Sequence, residues 1–268
     1  MLIAFLILFI LFVLFVISTV GRSGHPGLSV LRQSLYAHRG LHGNGAPENS
    51  LEAFRRAKDA GYGVELDVHL LKDGNLAVFH DSDLLRMTGK SGKITDLETD
   101  DLVNYHLLDS NCTIPTFRQV LELFDGKVPM IVELKSTGNY PELCEKTCAM
   151  LDTYNGPYCL ESFDPRCVYW LRKNRPDLIR GQLTENYLIK RKAKLPLVLR
   201  FVLKHQMFNF LTKPDFVAYR FSDRKTVSNF FCRKLWGVQG VTWTIKTKKS
   251  LNTAIEEGWI PIFEGFEP

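Results

Sequence analysis

Long runs of lysine and arginine are missing from this 268-residue chain, whose formal charge is only +5. No basic arm of the kind that grips nucleic acid is present, so nucleic acid is not expected as a partner. Paired C-x-x-C zinc spacings are also missing. Cys112, Cys144, Cys148, Cys159, Cys167 and Cys232 are scattered through a chain too long to need disulfide staples, and they read as buried thiols. Cys144 and Cys148 would share one helix face, where packing explains them without a metal. No internal repeat occurs, and no low-complexity tract follows the first twenty residues. What is left is a chain long enough for one large barrel or two small domains, with a single catalytic domain as the default.

Residues 1–20 are apolar except for Ser18 and Thr19. That is about the twenty residues a helix needs to cross the bilayer core. A cleaved signal peptide is the competing reading, but it requires a basic leader and a shorter apolar stretch, and neither is present. The sequence therefore predicts a single-pass transmembrane anchor over 1–20, a linker over 21–34 that contains Gly24 and Pro26, and a catalytic domain over 35–268. Arg22 and Arg32 follow the span, so the positive-inside rule favours a cytoplasmic catalytic domain, and unpaired thiols point the same way. Membrane lipid is thus an expected partner.

From Leu35 onward, strand and helix patterns alternate. The apolar runs predict strands at Leu35–His38, Gly63–His69, Leu76–His80, Met130–Leu134, Tyr158–Ser162, Leu178–Gln182, Phe216–Tyr219, Gly240–Ile245 and Ile260–Phe263. Helical segments such as Leu51–Ala60 and Pro141–Leu151 lie between most of them. Such alternation over about 230 residues predicts an α/β fold, a TIM-type (β/α)8 barrel preceded by one transmembrane helix. Nine strands compete for eight places. Lys72-Asp73-Gly74 is a tight-turn signal, so the second and third strands should form a hairpin. The stretch Tyr187–Lys213 is longer than a normal barrel connection and mixes Lys190, Arg191, Lys192, Lys194, Arg200 and Lys204 with Leu195, Leu197, Leu199, Phe201 and Leu203. A basic amphipathic insertion of this kind suits anionic headgroups or a solvated helix pair on the barrel.

The chemistry-bearing residues fall at the carboxyl ends of the early strands, where a barrel places its active site. His38-Arg39-Gly40 offers a general acid or base, a guanidinium suited to phosphate and a glycine for a sharp turn. Glu65 and Asp67, at i and i+2 of a strand, face the same way and can share a hard divalent cation. His80-Asp81 closes the third strand, and Glu133 with Lys135 repeats the i, i+2 geometry on the fourth. Singly these residues are ordinary; together they would be costly to bury unless a metal and a phosphate balanced their charge.

His38-Arg39-Gly40, Pro47-Glu48-Asn49-Ser50, Glu65-Leu66-Asp67, Lys72-Asp73-Gly74 and Phe79-His80-Asp81 stand in the order and spacing of the glycerophosphodiester phosphodiesterase family, which the chain resembles from about Leu35 to its C-terminus. Glu133-Leu134-Lys135, Ser162-Phe163 and Trp243-Thr244 continue the match. The resemblance implies metal ligands at Glu65, Asp67 and Glu133, an acid and a base at His38 and His80, and substrate contacts from Arg39, Lys135 and Trp243. His80 stands close enough to be counted as a ligand too. Ca2+ or Mg2+ is the expected ion, and a histidine ligand would admit manganese or zinc. Glu48 precedes a helix that Asn49 or Ser50 should cap, and is expected to serve a structural role. Two segments depart from the family pattern: Ile245-Lys246 after Trp-Thr, and Phe263-Glu264-Gly265-Phe266-Glu267-Pro268 at the end. The implied reaction cleaves a glycerophosphodiester to glycerol phosphate and an alcohol. Lysophospholipid cleavage of the phospholipase D type and a catalytically silent membrane scaffold are its rivals.

Overall fold

The computed structural model describes residues 1–189 and 195–268. Its helices are α1 Leu2–Ser18, α2 Leu28–Leu31, α3 Leu51–Asp59, α4 Leu85–Thr88, α5 Phe117–Phe124, α6 Tyr140–Leu151, α7 Pro165–Asn174, α8 Leu197–Lys204, α9 Asn209–Thr212, α10 Val227–Phe230 and α11 Lys248–Glu256. The strands are β1 Tyr36–His38, β2 Gly63–Leu70, β3 Leu76–Val78, β4 Met130–Leu134, β5 Tyr158–Ser162, β6 Arg180–Thr184, β7 Phe216–Arg220, β8 Gln239–Ile245 and β9 Trp259–Phe263. Eight strands pair in parallel, and β1 joins both β9 and β2, which closes the barrel. The ninth strand, β3, lies antiparallel on β2, as the Lys72-Asp73-Gly74 turn requires.

The period-2 pattern of the strands sorts their side chains into two cores. Val64, Leu66 and Val68 of β2, with Met130, Val132 and Leu134 of β4, face outward and pack with Phe54, Phe117, Phe124 and Leu143 from the covering helices. Tyr36, Ile131, Cys159, Leu183 and Phe216 fill the interior instead, and Leu28 and Leu31 join them from α2. The stretch expected as linker therefore contains a short helix that plugs the barrel floor. Leu28 and Leu31 are each buried, and truncating either to alanine would cost about 2–5 kcal/mol.

Element ends follow local chemistry. The side chain of Ser50 caps α3 by accepting from Ala53 N at 3.1 Å. Thr116 and Gln119 form a capping box on α5. One strand begins two residues later than its apolar run suggests: Leu178 N turns back to Arg175 O, and pairing starts only at Arg180.

The segment expected to span the bilayer differs more. Its helix stops at Ser18, whose hydroxyl, like that of Thr19, donates back to a backbone carbonyl three residues earlier. Thr19 is fully buried against the barrel. Among the described residues no helix is long and apolar enough to cross a membrane. Of the basic insertion, Lys190, Arg191, Lys192 and Lys194 lie outside the described residues, and the rest contains α8 and α9.

Candidate active site

Because β2 alternates, Glu65 and Asp67 both point into the barrel, and parallel pairing sets Asp67 beside Glu133 of β4. One carboxylate oxygen from each of Glu65, Asp67 and Glu133 lies within 4.8 Å of the others. All three residues are buried. Burial, then Asp67 and Glu133, push the Glu65 carboxyl well above its usual range. Burial also lifts Glu133, to about 7, although Lys135 opposes the rise. Asp67 behaves oppositely. Burial disfavours its charge, but Lys135, His80 and Arg39 together hold it far below the ordinary range. Three carboxylates thus share too little positive charge, the imbalance a divalent cation relieves. The donor set is all oxygen, so the cluster can hold a hard divalent metal ion.

Lys135, which the resemblance gives to phosphate, has its ammonium 2.9 Å from Asp67 and 2.8 Å from Glu133. Two buried carboxylates draw it inward, away from the wall of the main cavity.

Arg39 occupies a left-handed turn at φ 54°, after which Gly40 continues at φ 82°. A Cβ on Gly40 would meet the Ala53 carbonyl carbon at 2.8 Å, so glycine is required there both for its φ and for its close approach to α3. The turn aims Arg39 N at Glu65 Oε2 (3.2 Å) and brings the guanidinium to Glu48 (2.8 Å) and Asp67 (3.4 Å). Asn49, also left-handed at φ 55°, is nearly inaccessible and donates to Asp67 Oδ2 at 2.8 Å. It does not cap α3; it anchors a carboxylate.

Each histidine has a carboxylate partner. His38 Nδ1 donates to Glu264 Oε2 at 2.6 Å, while its Nε2 lies 3.8 Å from Glu65. His80 Nδ1 donates to Asp81 Oδ1 at 2.6 Å. Arg86 extends that second pair, joining Asp81 to both oxygens of Glu48. Glu48 therefore bridges Arg39, just after β1, and Arg86 of α4. Burial lowers both histidine pKa values; Glu264 opposes this at His38, and Asp67 opposes it at His80. In return His38 draws Glu264 down to about 2.

His38, Arg39, Glu65, His80 and Glu133 line one cavity of about 850 Å³ at the carboxyl ends of the strands. Trp243 forms part of its wall and meets Phe163 edge to face at 5.7 Å. Several residues at or beside the site carried no sequence signal. Glu161 sits beside Glu133 in register, is buried, and has one unpartnered oxygen. Glu264 follows the last strand and Arg86 sits in the one-turn helix α4, places where a lone charge is unremarkable. The departure at Phe263-Glu264 was visible, but its partner lies 226 residues away in the chain.

Comparison with known proteins bears on the family and the fold. The model of the glycerophosphoryl diester phosphodiesterase family matches residues 38–263. A glycerophosphodiester phosphodiesterase of Caldanaerobacter subterraneus subsp. tengcongensis is 28% identical over 239 residues, 85% of this chain and 92% of the relative. Glycerophosphodiester phosphodiesterase 1 of Rattus norvegicus is 28% identical over 243 residues, covering 81% and 72% of the two chains. Among solved structures, an Oleispira antarctica phosphodiesterase in complex with its product sn-glycerol-3-phosphate superposes with a TM-score of 0.72 at 23% identity, over 91% of this chain and 95% of that one. A glycerophosphodiester phosphodiesterase from Thermotoga maritima gives a TM-score of 0.64 at 23% identity, over 86% and 93%. With the family model covering most of the barrel, this chain belongs to the glycerophosphoryl diester phosphodiesterase family and is a phosphoric diester hydrolase.

Proposed function

We propose that the barrel hydrolyses glycerophosphodiesters to glycerol phosphate and an alcohol, with His38 and His80 moving the protons. The observation that carries this reading is the pairing of each histidine's Nδ1 with a carboxylate beside one acidic cluster. Such pairing fixes the tautomer, so that Nε2 of each ring is the nitrogen left for substrate. A neutral ring with its Nε2 lone pair free accepts a proton from the nucleophile, water or the adjacent glycerol hydroxyl. Its carboxylate stabilises the imidazolium so formed, while the other histidine, in its protonated form, gives a proton to the leaving alkoxide. Each transfer contributes about 10² to 10⁴ in rate. Arg39, anchored by Glu48, presents its charge to the phosphate. Glu65, Asp67 and Glu133 would hold Ca2+ or Mg2+, which supplies Lewis acidity toward the phosphoryl oxygens.

A second reading, cleavage of lysophospholipids, is favoured by the size of the cavity and by Phe163, Tyr187, Phe221 and Trp243 along its walls. In either case α1 attaches the enzyme to lipid, with the barrel on the cytoplasmic side; the six free cysteines support that compartment. Seventeen helical residues measure about 26 Å, less than the hydrocarbon core, so attachment by insertion replaces a full crossing. The test is phosphomonoester release from glycerophosphocholine, glycerophosphoethanolamine and lysophosphatidylcholine, with and without EDTA. Chelator-sensitive turnover is expected, and the preferred substrate chooses between the two readings.

A further inference from the structure

The barrel floor fixes the direction of α1. Arg22 N donates to Pro214 O at 2.8 Å and its guanidinium pairs with Asp215, so the chain passes under the start of β7, at the end remote from the site. Going back toward residue 1, Trp236 Nε1 donates to Val16 O at 3.2 Å, and Phe15 then meets His205 and Phe231. Phe12 meets Phe231 edge to face at 5.8 Å. The β7–β8 connection descends from the mouth, through α10 and Phe231, to Trp236 at the floor. Meeting Trp236 first and Phe231 second, α1 climbs the outside of the barrel toward the mouth. Leu2 to Leu11 are exposed and extend its axis by about 15 Å beyond the Phe12 contact.

Two other segments expose apolar side chains at that same end. Leu197 and Val198 open α8, and Val227 and Phe230 bound α10, all exposed. Both segments adjoin the cavity, since Tyr187 and Phe221 in the same connections line it. Apolar patches of this extent beside a site mark an interaction surface. We propose that α1, the start of α8 and α10 form one lipid-binding surface that seats the barrel mouth on an anionic bilayer, with α1 entering the near leaflet.

Two features commit the surface to lipid. The free length of α1, about 15 Å, matches half the hydrocarbon thickness, and the exposed part of the helix carries no charged or polar side chain. The sequence over 186–236 contains twelve Lys or Arg and two Asp, a charge bias complementary to anionic headgroups. A bilayer at this position delivers a single-chain glycerophosphodiester directly to the cavity. The inference rests on the proposed hydrolysis for its substrate, and on the surface alone for its geometry.

The experiment uses the full chain with Cys112, the one cysteine that is not fully buried, replaced by serine. An environment-sensitive fluorophore is placed at Leu197→Cys, at Phe230→Cys, and at Arg55→Cys on α3 as a control across the barrel. Vesicles are made of phosphatidylcholine and phosphatidylglycerol in equal parts, with brominated acyl chains. Quenching at positions 197 and 230, with none at 55, is expected. The double variant Leu197→Glu/Phe230→Glu should lose at least about tenfold in cleavage of vesicle-borne lysophosphatidylcholine, because charge is costly in the bilayer, while glycerophosphocholine turnover is unchanged. Unquenched labels on a chain that still sediments with vesicles would overturn the surface and leave attachment through α1. A chain that stays in the supernatant, or one that buries both labels by self-association, overturns both. Absence of glycerophosphocholine turnover in the unmodified chain would refute the hydrolytic reading separately, since quenching needs no activity.

Discussion

Replacing Glu264 by glutamine keeps the side chain's shape and removes the charge that holds His38. The lost contact is a 2.6 Å bond from the His38 ring to a carboxylate that is itself largely shielded from water. A hydrogen bond to a charged partner contributes about 1.5–3 kcal/mol. At 1.36 kcal/mol per decade, that corresponds to a loss of about ten- to a hundredfold in kcat if the pair stabilises the imidazolium formed during turnover. KM should change little, since Glu264 faces the histidine and not the phosphate. The pH profile supplies an independent readout. Burial lowers the His38 pKa, and Glu264 is the main force raising it again. Without the carboxylate the pKa falls further, so whichever limb of the rate profile belongs to His38 moves to lower pH, while the His80 limb stays. The assay is phosphomonoester release from glycerophosphocholine at saturating divalent cation, across pH 5–9 or so. An unchanged kcat with an unmoved limb would refute the claim that Glu264 positions the catalytic ring.

Other expectations follow from the same geometry. Glu65→Gln should abolish turnover yet leave the metal-free stability within about 1 kcal/mol, because the Glu65 carboxyl is held toward its neutral form in the folded chain; denaturant titration checks this. Divalent cation at a hundred times its Kd should stabilise the unmodified protein by about 2.7 kcal/mol and Glu65→Gln by much less, read as a Tm shift. Gly40→Ala forces a β-carbon against the α3 backbone at φ 82° and should cost about 2–3 kcal/mol along with most activity, measured by thermal melts and turnover. Arg86→Ala leaves Asp81 and Glu48 without their shared cation and should lower kcat about tenfold, with rescue by Arg86→Lys incomplete because a single ammonium cannot bridge both carboxylates.

What the sequence made legible is what depends on local period and order. Glu65 and Asp67 share a face because strands alternate, and Lys72-Asp73-Gly74 forces a hairpin because tight turns have few residue choices. The eight-strand closure followed from counting. Contacts across the barrel were not legible. Glu264 meets His38 only after the last strand has closed against the first, and Arg86 reaches Glu48 from α4, a helix of one turn that is too short to show a periodicity. Asn49 or Ser50 read as the cap of α3; Ser50 takes that place, while a left-handed backbone turns the Asn49 amide to Asp67. Lys135 read as a phosphate cation; that its ammonium also pairs with Asp67 and Glu133 depends on the closeness of β2 and β4, which no local pattern reports. The apolar N-terminus read as a crossing helix from composition alone. Where that helix stops is set by Thr19 and Trp236, a contact 217 residues apart.

Phosphomonoester release from glycerophosphocholine by the full chain, compared with and without EDTA and in His38→Ala, tests the proposed hydrolysis at its centre. Chelation should abolish turnover, added Mg2+ or Ca2+ should restore it, and His38→Ala should lower it by about 10² or more. Undiminished turnover in His38→Ala, or turnover indifferent to chelation, would contradict the proposed division of labour between the histidines and the acidic cluster.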